Sequence, residues 1–280
     1  MLRPLELLAS TALAYLGVAL AGLALSGLQL GAHAEDATVA VAANFTAPAE
    51  ALQKLFEQRT AHRLKLTSGS TGQLYAQIAN GAPLDALLSA DREHVDQLIA
   101  AGLADGTLRF TYAVGKLALW TRETEKFKPL DLSSLARADY RWLAIANPEL
   151  APYGRAAEQV LRKVGLWDAL QRRIVRGESI AQTFALADTR NADLAFVALS
   201  QVIPYRNKGA ASFEVPPELY EPIVQDAALL KRASGNAAAR GFLEFLRTPD
   251  ALRVIEEFGY AAGVPATAGA SSAGSANEPR

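Results

Sequence analysis

The sequence predicts an α/β fold in two lobes, each a mostly parallel sheet flanked by helices. Short apolar runs rich in β-branched residues alternate with segments whose apolar residues recur at helical spacing. The strand-helix-strand order repeats, which favours parallel pairing with helices on both faces. The series is also too long for one small sheet. Composition agrees with a globular chain: of 280 residues, 50% are hydrophobic and 20% charged.

Thr38 to Ala42 reads as the first strand. A helix over 47–59 follows, with apolar residues at 51, 52, 55 and 56 and Pro48 in the first turn, where proline is tolerated. Leu64 to Thr67 is the second strand, then a Ser68-Gly69-Ser70-Thr71-Gly72 turn and a helix over Gln73 to Asn80. Asp85 to Ser89 is the third strand, with a helix over Glu93 to Ala101. A second series begins near Lys116. It has strands over Leu117 to Thr121 and Trp142 to Ala146, and a helix over Gly154 to Val164. Strands at Ile174-Val175 and Leu194 to Leu199 flank a helix at 179–188, and Glu221 to Leu230 is the last strand. Helices over 236–247 and 249–257 close the series.

Both ends read differently. Residues 1–34 have the form of a secretory signal: Arg3, an uncharged stretch from Leu7 to Leu30, then Ala32-His33-Ala34 as a cleavage site. The stretch is long enough to anchor in a bilayer, but the cleavage site at its end favours removal. Residues 266–280 contain no large apolar side chain and read as a disordered tail.

Several function classes drop out. Lys+Arg number 28 against 29 Asp+Glu, so broad nucleic-acid binding is not expected. The absence of cysteine removes disulfides, thiol nucleophiles and Cys-based metal sites. His33, His62 and His94 match no metal motif, and neither a P-loop nor a G-x-S-x-G elbow is present. Arg172, Arg173 and Arg176 read as a solvated basic face.

Four loops hold the interest: Ala43–Thr46, Thr67–Gly72, Asn147–Gly154 and Gly177–Ile180. Each joins a strand's carboxyl end to a helix start. Ligands of open α/β sheets bind there, and helix N-termini offer N–H groups and a positive dipole end to an anion. Each loop can also be read as an ordinary cap. Residue pattern alone therefore stops at a secreted two-lobed protein that binds an anion.

Longer segments go further. AANFTAP (42–48), SGSTG (68–72), NGAP (80–83), SAD (89–91), FTYAVGKLALW (110–120), NPELAPYG (147–154), GESIAQT (177–183) and FVALSQ (196–201) occur in that order. From about Ala37 to Val264 the chain resembles the periplasmic molybdate-binding proteins of ABC importers. The resemblance implies the type II two-lobed periplasmic binding protein fold, with the ligand in the cleft. Lobe 1 would span 37–116 plus 224–265, and lobe 2 would span 117–223. The implied oxyanion contacts are Asn44 with Ala43 beside it, Thr71 with its neighbour Ser70, Tyr153, and the backbone N–H of Ile180. Ala198 stands where some members of the family have a tyrosine. No direct metal ligation, no cofactor and no catalysis are implied. The implied partners are molybdate or tungstate and a membrane permease; the protein would work in the periplasm as a monomer.

Such a dianion carries no proton near neutral pH, so the Asn44 amide, the Thr71 and Tyr153 hydroxyls and helix-start N–H groups suffice to hold it. A protonated phosphate would need an acceptor. The alternatives are sulfate or another tetrahedral oxyanion, separated by cavity size, and a secreted hydrolase using Ser70 or Ser68.

Overall fold

Alternation along each strand decides the architecture. The computed structural model describes residues 34–206 and 208–262. The expected signal, Ala34 apart, and the expected tail lie outside them. In chain order the strands are β1 (Asp36–Ala42), β2 (Arg63–Gly69), β3 (Ala86–Leu88), β4 (Phe110–Gly115), β5 (Leu117–Thr121) and β6 (Leu143–Ala146), then β7 (Ile174–Gly177), β8 (Leu194–Ala198), β9 (Ala211–Glu214), β10 (Ile223–Leu229) and β11 (Ala261–Ala262). The helices are α1 (Thr46–Arg59), α2 (Thr71–Ala79), α3 (Glu93–Ala100), α4 (Pro152–Lys163) and α5 (Trp167–Leu170), then α6 (Ile180–Asp188), α7 (Leu199–Val202), α8 (Ala237–Phe245) and α9 (Pro249–Glu257).

The strands sort into two sheets, ordered β11-β4-β10-β3-β1-β2 and β7-β6-β8-β5-β9. In the first, Val39 and Val41 of β1 face a core with Phe45, Leu52, Phe56 and Phe242. Ala40 between them faces Leu74, Ile78 and Leu98 on the other side. In the second, Leu119 and Phe196 point one way, and Trp120 and Val197 the other. Both faces of each sheet are therefore covered, which is why the strands read as unbroken apolar runs.

The sheets are mixed rather than mostly parallel. The triads β2-β1-β3 and β7-β6-β8 are parallel, as the strand-helix alternation predicts. β10 runs antiparallel to β3 and β4, and β5 runs antiparallel to β8 and β9. The reason is the path of the chain. β4 runs straight into β5 through Lys116 alone, and the segment after β9 returns through β10. β5 and β10 thus begin where the helix-fed strands end, so they run the other way.

Three further differences concern the elements. β4 lies over Phe110–Gly115, where the second series was expected to begin only near Lys116. β2 continues through Gly69, which pairs with Ala42, and α2 begins at Thr71. The expected Ser68–Gly72 turn is thus mostly absorbed, leaving Ser70 as the helix cap. The short strands β9 and β11 and the single-turn helices α5 and α7 were not anticipated.

Phe45 ties the first loop into this core. Its ring lies 4.7 Å from Tyr112 and 5.2 Å from Tyr260, both in edge contact, and it is fully buried. Phe45→Ala should destabilise the protein by about 3–5 kcal/mol in urea unfolding. A cost near zero would mean that the loop is held by other contacts.

Candidate functional site

The four loops meet. A single 3-10 turn, Ala43–Phe45, follows β1; Ser70 precedes α2; Ala151 precedes Pro152 of α4; Ser179 caps α6 by accepting from the Gln182 N–H at 3.3 Å. All six anticipated residues, Ala43, Asn44, Ser70, Thr71, Tyr153 and Ile180, line one small space between them. It holds about 190 Å³ of space, part of it open to solvent. That is room for one compact group. No charged side chain lines it. Ala198 is buried and does not line it.

Glycine makes two of the close approaches possible. A Cβ at Gly154 would lie 2.3 Å from the Ala146 carbonyl oxygen, so α4 can start tight against β6 only without one. A Cβ at Gly115 would lie 2.1 Å from the Tyr153 hydroxyl. The phenol therefore reaches back against the crossing point between the sheets.

The hydroxyls are arranged as donors. Thr71 Oγ1 accepts from the Ala90 N–H at 3.0 Å, and the Tyr153 hydroxyl accepts from Gln225 Nε2 at 3.3 Å. Each keeps its own proton for the cavity. Ser70 Oγ is buried and has no hydrogen-bond partner. An unpaired buried hydroxyl costs about 1–3 kcal/mol, so a ligand that accepts from it recovers that cost.

Asn44 differs from expectation. Its amide donates to Gln225 Oε1 at 2.8 Å and to the Tyr260 hydroxyl at 3.0 Å, so both amide hydrogens point into the protein. The group it can turn to the cavity is its backbone N–H, in the first turn of the 3-10 helix, where N–H groups lack helical partners. Ile180 occupies the matching position at the start of α6.

Behind these residues lies a buried polar network that sequence reading did not find. Tyr112 donates from one hydroxyl, shared between the Ser89 carbonyl at 3.1 Å and Gln225 Oε1 at 3.0 Å. Tyr260 and Ser200 both donate to the Asn44 carbonyl, at 2.7 and 2.9 Å. Burial pushes the Tyr153 and Tyr112 phenols well above the ordinary tyrosine range, and pushes Tyr260 up to about 12. All three stay protonated donors at any physiological pH. The one local signal was Gln225-Asp226, two polar residues in the middle of an apolar strand.

Among the described residues neither Ser68 nor Ser70 is hydrogen-bonded to a base. Ser68 Oγ pairs with Thr46 Oγ1 at 2.7 Å, His94 Nδ1 faces Asp91 at 2.9 Å, and His62 Nδ1 accepts from the Glu35 N–H at 3.2 Å. Among the described residues no three His, Asp or Glu side chains gather as a metal site.

The two halves touch over the cavity. The Gly72 N–H donates to the Leu150 carbonyl at 3.0 Å, and Arg155 Nη2 meets Asp91 Oδ2 at 2.6 Å. Burial opposes ionisation of Asp91, but the His94 ring and N–H together with Arg155 outweigh it and hold the carboxyl below its ordinary value.

Two sheets joined by two crossings, with donors converging on a cavity between them, define a two-lobed solute-binding protein. The chain belongs to the bacterial extracellular solute-binding protein family, which it matches over residues 37–261. It is 43% identical over 231 residues to the molybdate-binding protein ModA of Rhodobacter capsulatus, covering 82% of this chain and 90% of that one. It is 44% identical over 232 residues to ModA of Azotobacter vinelandii, covering 82% and 91%. The solved Azotobacter vinelandii periplasmic molybdate-binding protein superposes with a TM-score of 0.76 at 39% identity, covering 80% of this chain and 98% of that one. These relatives are named as binding proteins, not enzymes.

The Asp91–Arg155 contact has a pH signature. A lowered carboxyl contributes above its ordinary range, near pH 4, and is lost as pH falls through the lowered value. Arg155→Met should weaken ligand binding roughly two- to fivefold at neutral pH, as a half-exposed pair warrants. The difference between variant and parent should vanish once Asp91 is protonated, and equal affinities at neutral pH would remove the pair from closure. Calorimetry at two pH values reads both.

Proposed function

We propose that the chain binds molybdate, and tungstate alike, in the periplasm and hands it to the membrane permease of an ABC importer, as a monomer and without turnover. The observation that supports this best is donor polarity. Ser70, Thr71 and Tyr153 present free protons to a space that no carboxylate lines. A fully deprotonated oxyanion accepts from every one of them. A protonated phosphate would bring a proton with no carboxylate in the lining to meet it. Two relatives, at 43–44% identity, are molybdate-binding proteins by name.

Neutral donors suit a carrier. Hydrogen bonds to a charged group are worth roughly 1.5–3 kcal/mol each. Several of them, less desolvation and closure, correspond to a Kd on the order of µM to nM, which is tight yet reversible. Opening would turn the halves about the crossings at Lys116 and after Glu214. Residues 1–34 would direct secretion. Among the described residues no helix is long and apolar enough to cross a membrane.

Titration calorimetry of the secreted chain with molybdate, tungstate, sulfate and phosphate tests the reading. Tight binding of the first two is expected, with a rise in melting temperature through linkage. Sulfate binding of equal strength would move the ligand assignment. Tyr153→Phe should weaken molybdate binding by about tenfold or more, the worth of one hydrogen bond to a charge. An unchanged affinity would take Tyr153 out of the site.

A further inference from the structure

Gln225 lies on β10, fully buried, in the strand that returns from the second sheet to the first. The register of β10 against β4 shifts between Gln225 and Asp226. A bulge of this kind re-aims side chains, and here both consecutive residues are buried. Asp226 engages Arg109 Nε at 2.6 Å and Thr111 Oγ1 at 2.7 Å, on the same sheet. Gln225 is left for the cleft.

Its amide orientation is set jointly with that of Asn44. The Oε1 end faces two donors, Asn44 Nδ2 at 2.8 Å and the Tyr112 hydroxyl at 3.0 Å. An amide flipped end for end would set N–H against N–H at Asn44. With Asn44 Nδ2 facing Oε1, Nε2 faces Tyr153, whose oxygen it meets at 3.3 Å. A phenol that already accepts there has its own proton for another partner, and Tyr153 lines the cavity. The contact is also tight, since a Cβ at Gly115 would lie 2.6 Å from Nε2.

We propose that Gln225, outside the cavity lining, is the positioning residue that makes Tyr153 a donor to the bound oxyanion. It touches no ligand itself. It reads the fixed donor at Asn44 and passes the resulting polarity across to a residue of the other half. One side chain thereby ties the first loop, the returning strand and α4 to a single hydrogen-bond direction. The proposal rests on the oxyanion-binding reading above.

Gln225→Glu is the direct test. The shape is kept, but a carboxylate accepts at both ends and draws the Tyr153 proton onto itself. The secreted chain is titrated with molybdate in four forms: parent, Tyr153→Phe, Gln225→Glu and the double variant. In the parent, Tyr153→Phe should cost about tenfold or more. Gln225→Glu should cost about a hundredfold or more through lost donation and charge repulsion. In the Gln225→Glu background, Tyr153→Phe should then cost at most about twofold, since the phenol no longer donates to the anion. Equal costs of Tyr153→Phe in both backgrounds would overturn the proposal.

If Gln225→Glu melts before binding can be measured, Gln225→Met takes its place. With the phenol no longer oriented, its removal should again cost less than in the parent. Unchanged affinity in Gln225→Met, or an undiminished cost of Tyr153→Phe, would overturn the proposal. A parent that binds no molybdate refutes the oxyanion reading instead. The two failures are therefore separable.

Discussion

A hydroxyl whose oxygen already accepts a hydrogen bond is directed to donate, and the cleft uses that constraint at two positions. Thr71 and Tyr153 are each supplied with an internal donor, Ala90 N–H and Gln225 Nε2. Their protons are therefore directed rather than free to rotate. Buried phenols with raised pKa values cannot lose those protons in the physiological range. Selectivity for a deprotonated oxyanion then follows from polarity, without any cation in the cavity wall. An arginine there would attract every anion, protonated or not.

The fold serves this in one specific way. Helix-fed strands end at the cleft, so the starts of α2, α4 and α6 arrive there. β5 and β10 begin at the cleft, so they carry the chain between the halves at the same level as the site. Tyr153, from one half, can thus reach Gln225, from the other, beside the crossing at Gly115. A ligand bonded to both halves acts directly where the chain must bend for opening.

Local pattern made the parallel triads legible, because a strand buried on both faces is an apolar run of fixed length. The loops at their ends were legible for the same reason: the helix that follows each strand needs a cap. Antiparallel strands were not legible as such, since direction depends on where the chain crosses, not on periodicity. Phe110–Gly115 was missed as a strand because Thr111 and Tyr112 interrupt the apolar run, and both are spent on partners far along the chain, Asp226 and Gln225. The network behind the cavity had no signature for a similar reason. Asn44, Tyr112, Tyr153, Gln225 and Tyr260 are spread over more than two hundred positions, and no spacing rule joins them.

Asn44 shows what it means physically for an amide beside a cavity to be engaged inside the protein. Its side chain was expected at the ligand, but an amide facing the cavity would present both a donor and an acceptor, and would need a rule for which one turns in. The structure removes that ambiguity by committing the amide hydrogens to Gln225 and Tyr260, which leaves the backbone N–H, a group of only one polarity, as the donor Asn44 has to spare. Each group the structure gives to the cavity is of that kind: a main-chain N–H, or a hydroxyl whose oxygen is already engaged or buried without a competing partner. Ambivalent groups are kept one layer back, where they bond to one another. A site assembled under this rule favours an anion without a proton, because no carboxylate lines it and two of its hydroxyls already accept from within the protein, a property that no single lining residue carries alone.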